Sequence, residues 1–424
     1  MVRFKKTMKS SSDYAQLLDE QDNLKEFRSL FYIPKKNGKE CTYFCGHSLG
    51  LQPKKTKDFV NQELNDWKEM GVLGHFDAKN PWYYYHEYLN KQIANLVGAL
   101  DKEVVSMNSL TANLHLLLTS FYRPDKNKYK IIIDTPCFPS DRYALNSHMK
   151  LHNLDPKNSL IELKGNNETG ILKDEQIINT IEENASQVKL ILISPVNYYT
   201  GQYYDIEKIS KVAKKNNCII GLDLAHTIGN VKIFLHDWDI DFAVWCSYKY
   251  LNGGPGAPGG AFIHSNHLKT KTLNRLEGWW GHDKNTRFDL LDNFISSDTA
   301  ESWQLSNPPI LSMAALWSSL NIFENIGIDR ITTKSIKMTS YLYTLLSKID
   351  NLTIITPSRT EQRGAQISIK IHDFDKKIYE TLLENGYICD YRKPDVLRIA
   401  PAPLYNTFKE VYNFSTFLNS LINE

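Results

Sequence analysis

Between residues 104 and 223, short apolar runs alternate with longer stretches whose apolar positions recur every three to four residues. The run VVSM at 104–107 predicts a strand, and LTANLHLLLTSFY at 110–122 predicts a helix. KIIID at 130–134 predicts a second strand, with a helix following FPSD at 138–141. SLIELK at 159–164 and the near-continuous apolar VKLILIS at 188–194 predict two more, with helices at 174–184 and 205–216. CIIGLD at 218–223 and DFAVWCSYKY at 241–250 are apolar runs that end in polar residues. Such strands, separated by helices, are the rhythm of a parallel sheet covered by helices.

The pattern changes after Pro308-Pro309. One long helical stretch is expected to about Asp350, followed by LTIIT, QISIKI, a helix near 375–385, YICDY, VLRIAP and a terminal helix. Helices segregated from short strands predict a smaller α+β domain. The expected fold class is therefore α/β, with a mainly parallel-sheet large domain flanked by helices. Residues 53–310 would form that domain and 311–424 the smaller one, with 1–52 packing on the latter.

Composition narrows the class. The 424 residues are 42% hydrophobic and 23% charged, as expected of a folded globular chain rather than a disordered one. A formal net charge of +2 gives no reason to expect nucleic acid or an anionic membrane as partner. No apolar run approaches membrane-spanning length. The opening stretch to Gln16 is basic but lacks the apolar run of a secretory signal. Six scattered cysteines agree with a reducing compartment, and the expectation is a cytoplasmic protein. Cys41, Cys45 and His47 lie close together, but no second cluster of matching spacing follows, so no metal is expected.

The candidate chemistry lies where two predicted strands end. Asp223 closes CIIGLD, with His226 three residues on, and Tyr248-Lys249 follow DFAVWCS. Ligands of open α/β sheets bind beyond the carboxyl ends of strands, so these four side chains are expected to share one cleft. A lysine beside a glycine-rich loop, here Gly253–Gly260, with a fixed carboxylate upstream, suits pyridoxal phosphate (PLP). The amine binds the aldehyde, and the carboxylate pairs with the pyridinium nitrogen. Taken singly, Asp-x-x-His is more often a helix N-cap and Lys-Tyr more often surface; the joint pattern favours the cofactor. Ser109-Leu110-Thr111 opens a predicted helix and makes either a phosphate cradle or a plain N-cap. Phe138 could stack on a planar ring, and Ser140 and Asp141 could cap a helix or touch the ligand. Ser194 and Tyr199 follow a strand end and could reach the same cleft. Arg398, inside the apolar run VLRIAP, needs a partner: a structural carboxylate or a substrate carboxylate.

With MNSLTANLHLLL, FPSDRYAL, YYTGQ, DLAHTIGNV, DWDIDFAVWCSYKYLNGGPG, GWWGH, SNPPIL and APAPLYN on one chain, the sequence resembles the kynureninase family from about residue 43 to 408. That family belongs to the PLP enzymes of fold type I. The resemblance implies hydrolytic Cβ–Cγ cleavage of kynurenine or 3-hydroxykynurenine to an anthranilate and L-alanine, in tryptophan degradation and NAD biosynthesis. It implies that Lys249 binds PLP, Asp223 holds the pyridinium, and His226 stands beside it. Leu110, Thr111 and Phe138, Pro139, Ser140 and Asp141 would line ring and phosphate. Ser194, Tyr199 and Tyr248 would also contact the cofactor, Tyr248 assisting proton transfer. Trp279 and Asn307 would complete the pocket from the partner subunit of a homodimer with shared active sites. Arg398 would bind the substrate carboxylate. Ser48, His75 and Asn307 match the animal-type members that handle the 3-hydroxy substrate, so a preference for 3-hydroxykynurenine is expected. One departure is visible: many members read GNSLGL where this chain has His47 in GHSLGL.

The sequence leaves two other readings open. A fold type I cysteine desulfurase would need a mobile catalytic cysteine on a pocket loop, and Cys137 lies instead where a strand ends. A PLP-binding regulator would want a separate basic helix-turn-helix segment, and none is evident.

Overall fold

Neighbouring residues along the central strands send their side chains to opposite faces of one seven-stranded sheet in the computed structural model, which describes residues 11–270 and 273–423. In chain order its strands are β1 (Val104–Ser106), β2 (Lys130–Asp134), β3 (Leu160–Leu163), β4 (Val188–Ile193), β5 (Ile219–Asp223), β6 (Phe242–Cys246) and β7 (Gly259–Ile263). Their order across the sheet is β1-β7-β6-β5-β4-β2-β3. The five strands β2 to β6 pair in parallel, and β7 runs antiparallel to both of its neighbours. Ile131, Ile133, Leu190, Leu192, Phe242 and Val244 enter one apolar layer. Ile132, Ile191, Ile193, Ile220, Leu222, Ala243 and Trp245 enter the other. Both faces are therefore covered, which is why these strands read as continuous apolar runs.

A second sheet of four antiparallel strands comprises β8 (Leu352–Ile354), β9 (Ile367–Ile371), β10 (Asp390–Arg392) and β11 (Val396–Ile399), in the order β8-β9-β11-β10. One of its faces is apolar: Ile367, Ile369, Ile371, Leu397 and Ile399 form a third core with Leu342, Phe414 and Leu418 of two flanking helices. The other face carries Ser368, Asp390 and Arg398 in register. Residues 11–52 lie against this unit. Asp19 caps the helix Phe408–Asn423 by accepting from the backbone N–H groups of Phe408 (2.7 Å) and Lys409 (2.9 Å), and the short strand Thr42–Tyr43 pairs in parallel with Tyr387–Ile388.

Two elements differ from the expected pattern. The stretch after Pro309 is two helices, Ile310–Ile326 and Ile328–Leu346, because Gly327 takes φ +80° and ends the first. The first of these packs on the large sheet's side of the molecule, with Met313, Leu316 and Leu320 in its core. The strand β7 begins inside the glycine-rich segment, where two glycines dilute the apolar signal. Among the described residues, no helix is long and apolar enough to cross a membrane.

Candidate active site

The site is built at the carboxyl ends of the sheet strands. Asp223 is the last residue of β5, and Ser247-Tyr248-Lys249 follow β6 directly beside it. β1 leads into the helix α1 (Leu110–Phe121), and β2 leads through 135–138 into α2 (Pro139–Leu151). One cavity is lined by Leu110, Thr111, Phe138, Ser140, Ser194, Asp223, His226, Tyr248 and Lys249. Val196, Tyr198, Ala225 and Cys246 complete its wall.

The donors and acceptors there are arranged for an anionic and a cationic end. The N-cap positions of both α1 and α2, Ser109 and Phe138, make no side-chain cap, so first-turn N–H groups lack that partner. Thr111 and Ser140, one in each first turn, share a hydrogen bond of 2.6 Å between their hydroxyls. Asp223 is almost fully buried, and one of its oxygens accepts from the Ala225 N–H at 2.7 Å. His226 is also buried, and its Nδ1 has no hydrogen-bond partner. Burial, then the charges of Lys249 and Arg398, hold its pKa well below the usual histidine range, so the ring is neutral. Burial raises the pKa of the Tyr248 phenol, with the Cys246 thiol beside it adding to the shift. The phenol is therefore a proton donor at neutral pH. Asp141, inward on α2, is raised far above the carboxylate range by burial and by facing Asp223. The PLP implied by the sequence fits this donor set: a buried carboxylate for a ring nitrogen, an amine for an aldehyde, two uncapped helix N-termini with two hydroxyls for a phosphate, and an orphaned imidazole nitrogen.

The loop GHSLGL packs onto the lysine. The Gly50 N–H donates to the Tyr248 carbonyl at 2.8 Å, and a Cβ at Gly50 would lie 2.4 Å from the Lys249 carbonyl oxygen. No side chain fits there. His47 is thereby fully buried, 6.1 Å between ring centres from His226, and neither of its ring nitrogens has a hydrogen-bond partner.

Other expected residues lie elsewhere in the chain. Tyr199 flanks the cavity but does not line it; its neighbour Tyr198 does, edge-on to Phe138 at 5.3 Å. Pro139 is exposed at the first position of α2. Arg398 is buried behind the wall, donating from Nη1 to the Tyr198 carbonyl at 2.7 Å and from Nε to Asp390 at 2.9 Å. Trp279 is half exposed, with its Nε1 donating to the Arg287 carbonyl at 2.9 Å. Ser48 is exposed. His75 and Asn307 line a separate cavity of about 270 Å³ with Trp67, Trp82 and Leu311.

A family model described as aminotransferase class-V matches residues 43–390. The chain is 46% identical to the kynureninase of Myxococcus xanthus over 95% of its own length and 96% of that protein's. It is 40% identical to the kynureninase of Nematostella vectensis, covering 97% and 94% of the two chains. In solved structures it is similar to a cysteine desulfurase from Thermococcus onnurineus, with a TM-score of 0.75 at 18% identity over 90% of this chain and 95% of that one. A cystine C-S lyase in complex with cysteine persulfide gives a TM-score of 0.76 at 14% identity, covering 89% of this chain and 97% of that one. At such identities these two likenesses speak for the fold alone, that of the fold type I enzymes. The chain belongs to the aminotransferase class-V family and, within it, to the kynureninases.

Proposed function

We propose that this protein is a PLP-dependent hydrolase that cleaves the Cβ–Cγ bond of L-kynurenine or 3-hydroxykynurenine, giving the matching anthranilate and L-alanine. The observation that carries this reading is the meeting of Asp223, His226, Tyr248 and Lys249 with two uncapped helix N-termini in one cavity, on a chain 46% identical to a bacterial kynureninase. Bound PLP supplies the electron sink that stabilises negative charge on the substrate carbons next to its amine.

The chain's own residues do the rest. Lys249 would hold the cofactor, and its amine would carry the substrate's α-proton. Asp223 keeps the ring nitrogen protonated. Leu110, Thr111 and Ser140 hold the phosphate at the two helix starts, and Phe138 covers the ring. Tyr248, protonated at neutral pH, donates a proton as the C–C bond breaks. Arg398 reads the substrate carboxylate.

The active unit is a homodimer with shared sites. Exposed apolar side chains occur at the second cavity: Trp67 (61% exposed) and Leu311 line it, and Leu73 (59%) and Phe76 (55%) flank its lining residue His75 in the chain. Exposed apolar surface of this kind marks an interface. In the dimer His75 and Asn307 would enter the partner's substrate site, favouring the 3-hydroxy substrate, with Trp279 at the cofactor. The expected large domain, 53–310, gains the helix Ile310–Ile326, which packs in its core; the rest of 311–424 acts as the small domain with 11–52 on it, and the enzyme works in the cytoplasm.

The cysteine desulfurase alternative has no support from Cys137, whose thiol is pushed far up by burial and by the neighbouring Asp134 and Asp141. Incubation with kynurenine and, separately, with cysteine tests the choice. Anthranilate and alanine in equal amounts are expected from the first and no sulfide from the second; sulfide and alanine from cysteine, with no anthranilate from kynurenine, would reverse the assignment.

A further inference from the structure

Arg398 sits in the middle strand of a three-strand polar face. On β11 it stands directly opposite Asp390 of β10 on one side and Ser368 of β9 on the other. Arg392, two residues along β10, shares the face of Asp390. Ser368 and Arg398 on this polar face are buried, Asp390 and Arg392 are partly so, and the face grips the loop that forms the cavity wall. Arg398 Nη1 and Gln366 Nε2 donate to the Tyr198 carbonyl at 2.7 and 2.9 Å, and the Ser368 hydroxyl donates to the Tyr199 carbonyl at 2.6 Å.

Asp390 is the one acidic group in this arrangement, and it takes both cations. Its Oδ1 accepts from Arg398 Nε at 2.9 Å and from Arg392 Nε at 2.8 Å, and its Oδ2 accepts from Arg392 Nη2 at 3.2 Å. With Nε and one N–H of Nη1 engaged, Arg398 keeps three of its five N–H groups, both on Nη2 and one on Nη1. Those lie at the end of the guanidinium that can take a carboxylate through two parallel hydrogen bonds. The charges of Arg398 and Arg392 both reach the cavity-lining His226.

We propose that Asp390 is the positioning residue for recognition of the substrate's α-carboxylate: it clamps Arg398 by its Nε edge, leaves the opposite end free, and holds Arg392 alongside as a second cation. This rests on the reading of Arg398 as the carboxylate-binding residue. The sign of the effect separates positioning from plain charge. Asp390 is itself negative, so if it served only as a structural counter-ion, neutralising it would leave binding of an anionic substrate unchanged or make it tighter. A positioning role demands the reverse.

The test uses the PLP-loaded full-length enzyme and two ligands, kynurenine and its decarboxylated analogue, which has the amine and ring but no carboxylate. Asp390→Asn, which keeps the shape, and Asp390→Ala are compared with Arg398→Gln. Bound-cofactor absorbance and Tm verify that each variant is loaded and folded. A charged hydrogen-bonded contact predicts a rise in KM for kynurenine of about tenfold to a hundredfold in the Asp390 variants, larger for Ala than for Asn. The inhibition constant of the decarboxylated analogue stays at the wild-type value, and kcat falls far less than KM rises. Equal weakening of both ligands, or tighter kynurenine binding, overturns the role of Asp390. If Arg398→Gln discriminates between the ligands while the Asp390 variants do not, Asp390 alone is misassigned. If Arg398→Gln fails to discriminate, the reading of Arg398 falls and this inference with it.

Discussion

Lys249 Nζ stands 5.7 Å from the centre of the Phe138 ring, across a cavity whose floor carries Asp223. The two residues follow different strands, β6 and β2, that are separated in the sheet by β5 and β4. Phe138 is partly exposed, so its ring is an open platform opposite an amine. Lys249→Ala should therefore lose turnover almost completely while Tm is largely kept. Borohydride reduction of the wild-type enzyme should attach the cofactor to the peptide containing Lys249, and a label on any other lysine would remove Lys249 from this role.

Asp223→Asn removes the negative charge meant for the ring nitrogen without changing the side chain's shape. An opposite charge at close range typically moves a pKa by ~1–3 units, so turnover should fall by about one to three orders of magnitude. KM should change much less. Wild-type kcat in Asp223→Asn would show that the carboxylate does not tune the ring.

His47 makes acid stability sensitive to one residue. Burial first, then the charges of Arg398, Lys249 and Arg392, hold its pKa well below the ordinary 6.5. Unfolded, the ring binds a proton near 6.5; folded, it resists. Its contribution is therefore complete above pH 6.5 and is lost as pH falls toward the folded value, at about 1.4 kcal/mol per pH unit. His226 behaves in the same direction. Asp134, raised to about 6 by burial, has the opposite sign, favouring the folded state more as pH falls through that value. Because both groups remain in His47→Asn, the difference between the proteins isolates His47. Chemical denaturation at pH 7.5 and 5.5 should show a smaller acid loss in His47→Asn by about 1 kcal/mol. Parallel losses would mean that His47 is hydrated or partnered in solution.

Asn307 lies in the second cavity with His75, Trp67 and Leu311. If the dimer brings these residues to the partner's substrate, Asn307→Thr should lower kcat/KM for 3-hydroxykynurenine more than for kynurenine. A neutral hydrogen bond to the ring hydroxyl is worth about 0.5–1.5 kcal/mol, a twofold to tenfold effect. Equal losses for both substrates would place Asn307 in a turn-capping role only.

The residues that end strands were legible because the apolar run itself stops there. Asp223 and Lys249 follow CIIGL and FAVWC, and both line the cavity. Phe138 and Thr111 were legible for the same reason, since helix starts follow strand ends in this architecture. Residues placed by loop geometry were not. NYYTGQYY offers four tyrosines, and only the turn after β4 decides that Tyr198 rather than Tyr199 faces the cavity. Asp390 was hidden because its value lies in register: it is eight residues from Arg398 in the chain and directly opposite it in the sheet. The sequence also carries no sign that His75 and Asn307, far from Lys249 in the chain, line a cavity apart from the Lys249 cavity. The break at Gly327 was signalled by a single glycine inside an otherwise unbroken helical pattern.

Hydrolytic carbon–carbon cleavage at the Lys249 pocket is tested most directly by running one turnover series in water enriched with heavy oxygen. Water must add to the carbonyl that becomes the new carboxylate. Wild-type enzyme with 3-hydroxykynurenine should give alanine and 3-hydroxyanthranilate in equal amounts, with solvent oxygen in the anthranilate carboxyl, and Lys249→Ala should give neither product. Alanine without labelled anthranilate, or undiminished products from Lys249→Ala, would contradict the account.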